Sequence, residues 1–107
     1  KLMKVFCYGT LLLPDVLNSL GGKVTQSVYV KGYKLLTSEN NNGYPYFQLS
    51  KTGDEKDVVP GYIVEYENIV PVDNYEGNMY ERVNTMAYTR TNVETPCQLY
   101  IKDSKHE

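Results

Sequence analysis

Met3-Lys4-Val5-Phe6-Cys7-Tyr8-Gly9-Thr10-Leu11 sets an alternating segment directly against a glycine turn. Met3, Val5 and Cys7 fall on one face and Lys4, Phe6 and Tyr8 on the other, the period of two that a strand requires. Its low polar content predicts an interior strand. Gly9 lets the backbone turn sharply and come close to a ligand. The next residues, Leu11 to Gly22, carry Pro14 suited to a first helical position, Asp15 for the first turn and Gly21 as a stop. A short helix of two turns or fewer is predicted there. Met3-Lys4-Val5-Phe6 also reads like a natural initiation into a strand, which would leave Lys1-Leu2 as a remnant ahead of it.

The rest of the chain reads as more short strands. Val24 to Leu36 is a long strand or a bent pair, with Gly32 at the kink. Glu39 to Gly43 is a turn of asparagines and glycine. Tyr46 to Leu49 is a short strand, and Lys51 to Asp57 a charged hairpin loop. Gly61 to Tyr66 alternates, with Tyr62, Val64 and Tyr66 against Ile63 and Glu65. Asn68 to Gly77 is irregular, or holds one helical turn, because Pro71 breaks a longer helix. Tyr80 to Arg90 and Cys97 to Lys102 complete the strands, and 103–107 is a frayed polar tail. The expectation is one α+β domain over 1–107: a small mixed β-barrel or curled sheet of about six strands with one or two short helices.

Composition narrows the function. The chain has 107 residues, with 11 Lys plus Arg against 13 Asp plus Glu and a formal net charge of −2. That balance argues against nucleic-acid binding, which calls for a basic patch, and against anionic lipid. No apolar run approaches the roughly 18 residues of a membrane helix, and no signal peptide opens the sequence, so the expected compartment is the cytoplasm. Cys7 and Cys97 are too few for a disulfide scaffold and read as small buried hydrophobes. The lone histidine, His106, sits in the tail, so a histidine triad and a Cys/His zinc site are excluded. An enzyme with this sequence works with carboxylates, tyrosines and backbone amides, without metal or cofactor.

Two segments carry that chemistry. Successive amides at Tyr8-Gly9-Thr10-Leu11 can hold an anion, although an ordinary strand-to-helix turn reads the same way. In Asp73-Asn74-Tyr75-Glu76-Gly77-Asn78-Met79-Tyr80-Glu81-Arg82, acids lie among tyrosines next to a glycine and an arginine. A carboxylate hemmed by aromatic rings is partly desolvated, which raises its pKa toward the working range of a general base. The plain alternative is a polar loop with a surface pair, Asp73 serving as a turn or cap acid.

In order and spacing, these segments resemble gamma-glutamylcyclotransferase-like proteins, in particular the branch of plant avirulence-induced proteins. The resemblance runs through Tyr8-Gly9-Thr10-Leu11 and Pro14-Asp15-Val16-Leu17, Gly32-Tyr33, Tyr44-Pro45 and Val59-Pro60-Gly61-Tyr62-Ile63. It continues in Asp73, Tyr75-Glu76-Gly77, Tyr80 and Arg82, then Leu99-Tyr100, and spans roughly residues 4 to 102. It implies that fold and a small-molecule gamma-glutamyl substrate, cyclised to 5-oxoproline with release of an amine. It also implies Glu76 as general acid/base and Tyr8, Gly9, Thr10 and Leu11 as the holder of the glutamyl group. Tyr80 and Tyr100 are candidates to line the pocket, and Arg82 to anchor the strand. The family usually has a clear helix before the glutamate; Pro71 predicts a shortened or reshaped segment here.

Two other classes compete. One is a non-catalytic module on the same scaffold, holding a carboxylate-bearing metabolite or a peptide end. The other is a tyrosine-lined face that stacks single-stranded nucleic acid, motivated by 11 tyrosines and opposed by the charge. Leaving-group specificity would reside in the loops at 37–43 and 51–57, which carry no readable code.

Overall fold

The structure, a computed structural model, describes residues 2–39, 43 and 45–102. The Tyr44 half of the Tyr-Pro step, most of the asparagine turn, His106 and the 103–107 tail lie outside the described residues. The elements in order are β1 (Met3–Cys7), a 3-10 turn (Thr10–Leu12), α1 (Pro14–Leu20), β2 (Lys23–Lys31), β3 (Tyr33–Glu39), β4 (Pro45–Lys51), β5 (Val58–Tyr66), α2 (Val70–Glu76), β6 (Tyr80–Tyr88) and β7 (Glu94–Lys102). Five strands close a barrel in the order β1-β5-β2-β6-β7, and β3 pairs with β4 as a separate ribbon. The barrel is mixed: β1 and β7 run parallel through Val5 and Gln98, while the other neighbours are antiparallel.

The period of two in β1 divides the buried residues. Phe6 points into the barrel with Val28, Val30, Ile63, Ala87 and Leu99. Val5 and Cys7 point outward beneath the helices, with Leu11, Val64, Tyr66, Val72 and Tyr100. Gly61 makes room for this arrangement. A Cβ there would stand 2.5 Å from the Cys7 carbonyl and 2.6 Å from the Phe6 ring, so a side chain would push β5 off β1. In β2 the ladder slips between Val24 and Gln26, and the Thr25 hydroxyl donates to the Ile63 carbonyl at 3.3 Å. Such a bulge increases local twist and helps a narrow sheet curl shut.

Gly32 is the expected kink: its φ of +84° turns β2 into β3. The barrel and ribbon together hold seven strands, the six expected with the bent pair at Gly32 resolved into two. Two strand readings need correction. β5 and β7 begin three residues before their expected starts, through Pro60 and Pro96. β5 is paired to β1 only from Tyr62 onward, and β7 registers with β1 only at Gln98, so neither proline interrupts a ladder on that side. Residues 52–57 do not close a hairpin, because β4 and β5 are not paired; they link the ribbon to the barrel.

α2 is the correction that matters for function. Pro71 does not break the helix; it occupies the first turn, where its missing N–H is not needed. The Asn68 side chain accepts the Val70 N–H at 3.1 Å, and the Gly77 N–H closes the far end on the Asp73 carbonyl at 3.0 Å. Seven residues are helical, about two turns. Val72 is fully buried against the outside of the barrel. Glu76 lies four residues on, so it shares that inward face.

Candidate active site

A cleft of about 80 Å³ opens where the end of β1 meets α2. Tyr8, Gly9, Thr10 and Leu11 form one wall, and Glu76, Tyr80 and Tyr100 another, so all seven residues singled out in the sequence meet in one place. Phe6 and Cys7 form part of the lining, and Phe47 comes from β4 of the ribbon.

The glycine turn is built by its own hydrogen bonds. Leu12 N–H donates to the Gly9 carbonyl at 2.9 Å and Leu13 N–H to the Thr10 carbonyl at 3.1 Å. The amides of Thr10 and Leu11 open the turn and have no acceptor within it. Leu11 is buried in the outer cluster and pins the turn to β1, while Thr10 is exposed.

Two tyrosine hydroxyls are engaged in holding the walls together. Tyr8 donates to the Tyr100 carbonyl at 3.2 Å, and its ring stacks on Phe6 with centroids 6.0 Å apart. Tyr100 donates to Asp73 Oδ1 at 2.6 Å. Arg82 Nε stands 3.1 Å from the same Asp73 oxygen, and its Nη1 donates to Gln98 Oε1 at 2.8 Å. Asp73 is thus more than a turn or cap acid: it ties α2 to β6 and β7. Tyr80 lies on the boundary between the cleft and a polar groove alongside it, lined by Asp73, Asn74, Asn78 and Arg82.

Burial pushes the Glu76 carboxyl up to about 7. Its neighbours are protic but neutral at that pH. Burial drives the Cys7 thiol up to about 12, with the Tyr66 hydroxyl working against it and Glu76 and Cys97 adding to the rise. Tyr8, Tyr66 and Tyr100 are likewise raised, chiefly by burial, with Glu76 adding to each. A half-buried carboxyl pushed up toward neutrality, in the same cleft as the glycine turn, can remove a proton from one group and return it to another. Cys7 carries no activated thiolate for nucleophilic attack. Among the described residues, no three His, Cys, Asp or Glu side chains converge to hold a metal ion, and no helix is long and apolar enough to cross a membrane.

A sequence model described as "Gamma-glutamyl cyclotransferase, AIG2-like" matches residues 5–107. This chain belongs to that family. No curated protein sequence matches it significantly. The cyclotransferase fold is equally plain in solved structures. One named gamma-glutamyl cyclotransferase superposes with a TM-score of 0.80 at 16% identity, covering 96% of this chain and 68% of that one. A protein of Arabidopsis thaliana solved in solution gives 0.78 at 23% identity, over 99% of this chain and 72% of its own. An AIG2-like protein from Mus musculus gives 0.74 at 17% identity, over 96% and 78%. At these identities the superpositions establish the shared fold of the family and nothing finer.

Phe6 and Phe47, which line the cleft, and Tyr66, buried behind it, were passed over by sequence reasoning. Phe47 had one signal, its spacing of two from Leu49, which puts both on one face of the strand. Tyr66, fully buried behind Cys7, read only as a strand residue.

Proposed function

We propose that this chain is a gamma-glutamyl cyclotransferase that acts on a gamma-glutamyl amine or amide, with Glu76 as general acid/base. The observation that carries this reading is the position of the Glu76 carboxyl, pushed up by burial, in the same cleft as the turn from Tyr8 to Leu11.

The substrate brings its own nucleophile. Glu76, ionised, takes a proton from the substrate's α-ammonium. The freed amine attacks the γ-carbonyl carbon and closes a five-membered ring. The ring nitrogen loses its second proton to solvent, the oxyanion collapses, the bond to the leaving nitrogen breaks, and Glu76 returns its proton to that nitrogen. The products are 5-oxoproline and a free amine. Holding the chain folded back contributes up to roughly 7–11 kcal/mol to such a reaction, more than acid/base catalysis provides. The assignment of the amides of Thr10 and Leu11 to the substrate's carboxylate or developing oxyanion rests on their lack of an acceptor within the turn. Tyr80 and Tyr100 are assigned as walls, with Tyr8 supporting the turn from below. A metal-free reaction follows from this chemistry, and a cytoplasmic setting has support in two free, buried cysteines.

The binding-only alternative was motivated by a reshaped segment around Pro71. With α2 formed through Glu76, no observation favours it.

The test is mass-spectrometric detection of 5-oxoproline after incubation with a panel of gamma-glutamyl amines, amino acids and dipeptides. Wild type is expected to release product, and Glu76→Gln to lower turnover by roughly 10²–10⁴-fold with the fold intact. Equal activity in the variant would remove Glu76 from its role. No product from any member would remove the reaction.

A further inference from the structure

We propose that Phe47 is a substrate-positioning residue: its ring, carried over the glycine turn by the β3–β4 ribbon, is the apolar wall that presses the glutamyl methylenes into the folded-back pose. This rests on the cyclotransferase reading and deepens it.

The observations concern where the ring sits and what holds it. Tyr33 and Leu49 of the ribbon are buried in the barrel's own apolar cluster, so the base of the ribbon is fixed. The ends of the base are locked as well: the Gly32 carbonyl accepts from the Thr52 N–H at 2.8 Å and the Gly53 N–H at 3.2 Å. Phe47 lies two residues beyond Leu49 and therefore on the same face of β4. It follows the buried face outward until it runs past the barrel and over Gly9. A Cβ on Gly9 would stand 3.5 Å from Phe47 Cβ and 3.7 Å from the ring, so backbone and side chain are in ordinary contact there. The ring is nonetheless 41% exposed. A large aromatic anchored this firmly and left open on its cleft side is a surface awaiting an apolar partner.

The chemistry supplies that partner. A gamma-glutamyl group is charged at its α-carbon and polar at its γ-carbonyl, with two methylenes between. Polar contacts fix the two ends, but ring closure also requires the methylenes to fold toward each other. Phe47 is the one cleft residue that the ribbon contributes among those described; the others stand on β1, the turn after it, α2, β6 and β7. A ring closing over the substrate also keeps water from Glu76, which faces Cys7 and Tyr8 from the β1 side, Tyr66 from β5, Tyr80 from β6 and Tyr100 from β7. The cation of β6, Arg82, is engaged by Asp73.

The experiment compares wild type with Phe47→Ala and Phe47→Leu, using the best gamma-glutamyl substrate of the panel. The alanine variant is expected to lose about 10–100-fold in kcat/KM, with kcat falling as well as KM rising, because the pose and not only affinity is lost. Leucine is expected to restore most of it, since an apolar wall suffices. The acid limb of the pH profile is expected to move down toward the ordinary carboxyl range in Phe47→Ala and to stay in place in Phe47→Leu. Thermal midpoints are expected to remain close to wild type, because the ring is only partly buried. Wild-type kinetics and an unmoved acid limb in Phe47→Ala would overturn the proposal. A second arm is independent of turnover: Glu76 is titrated by carboxyl NMR in the substrate-free proteins. If wild type makes no 5-oxoproline, the cyclotransferase reading fails by itself, and an unchanged Glu76 titration in Phe47→Ala would then overturn the wall.

Discussion

The two buried clusters share β1 and differ in what they contain. Inside the barrel, Phe6, Val28, Val30, Ile63 and Leu99 bury hydrocarbon beside Tyr33 and Cys97, and Tyr8 packs against them from the cleft. Outside it, beneath the 3-10 turn and the two helices, Cys7, Tyr66 and Tyr100 are packed just as tightly beside Val5, Val64 and Val72. The first arrangement maximises apolar burial and holds the fold. The second lies under the helix that carries Glu76, and its burial of Cys7, Tyr66 and Tyr100 sets a low-dielectric border along which the Glu76 carboxyl rises to about 7. One strand of alternating residues thus feeds both clusters, and its end, through Phe6, Cys7 and Tyr8, lines the cleft from both faces.

Mutations on the two sides are expected to separate stability from activity. The largest stability effect is Ile63→Ala, which leaves a cavity in the barrel where the side chain is fully buried. A loss of ~2–5 kcal/mol is expected in urea unfolding, with turnover by the folded fraction little changed. Equal losses of stability and of specific turnover would merge the two clusters into one unit.

Tyr100→Phe comes next. It removes the 2.6 Å bond to Asp73, a charge-assisted bond worth ~1.5–3 kcal/mol before allowing for the partner that Asp73 keeps in Arg82. Unfolding measurements should show a loss at the low end of that range. KM should rise because α2 is less firmly tied to β7. An unchanged KM would mean that this tie does not set the position of Glu76.

The smallest effect has the opposite sign. The Glu76 carboxyl titrates near 7 in the folded chain against a reference of 4.5, so folding favours its protonated form. The stability this lends is full below about 4.5 and is lost as pH rises through 7. Glu76→Gln keeps the neutral shape at every pH. Thermal unfolding should therefore show the variant matching wild type near pH 4.5 and exceeding it at pH 8 by ~1–2 kcal/mol, allowing for screening at a half-buried site. Equal stability at both pH values would place the carboxyl in water.

The parts of this arrangement that were legible in the sequence are those written locally. The alternation of Met3 to Tyr8 announced an interior strand, and Gly9 its turn; Glu76 was named by the residues around it. What could not be read depends on where an element sits. Pro71 looked like a helix breaker because its position in the first turn of α2 is not visible in the sequence. The early starts of β5 and β7, through Pro60 and Pro96, were not legible because the missing ladder on one side of each strand is a property of the barrel. Asp73 looked like a cap because Tyr100, 27 residues away, reaches it only after β7 is in place. Phe47 was silent for the same reason: one aromatic in a short strand does not reveal which turn it will cover.

The most direct test of the central claim is the pH dependence of kcat/KM for 5-oxoproline release by wild type and Glu76→Gln. Wild-type activity should rise through a midpoint near 7 as Glu76 ionises, and the residual activity of the variant should lack that step. A wild-type midpoint near 4.5, or the same step in both proteins, would contradict the assignment of Glu76 as the base.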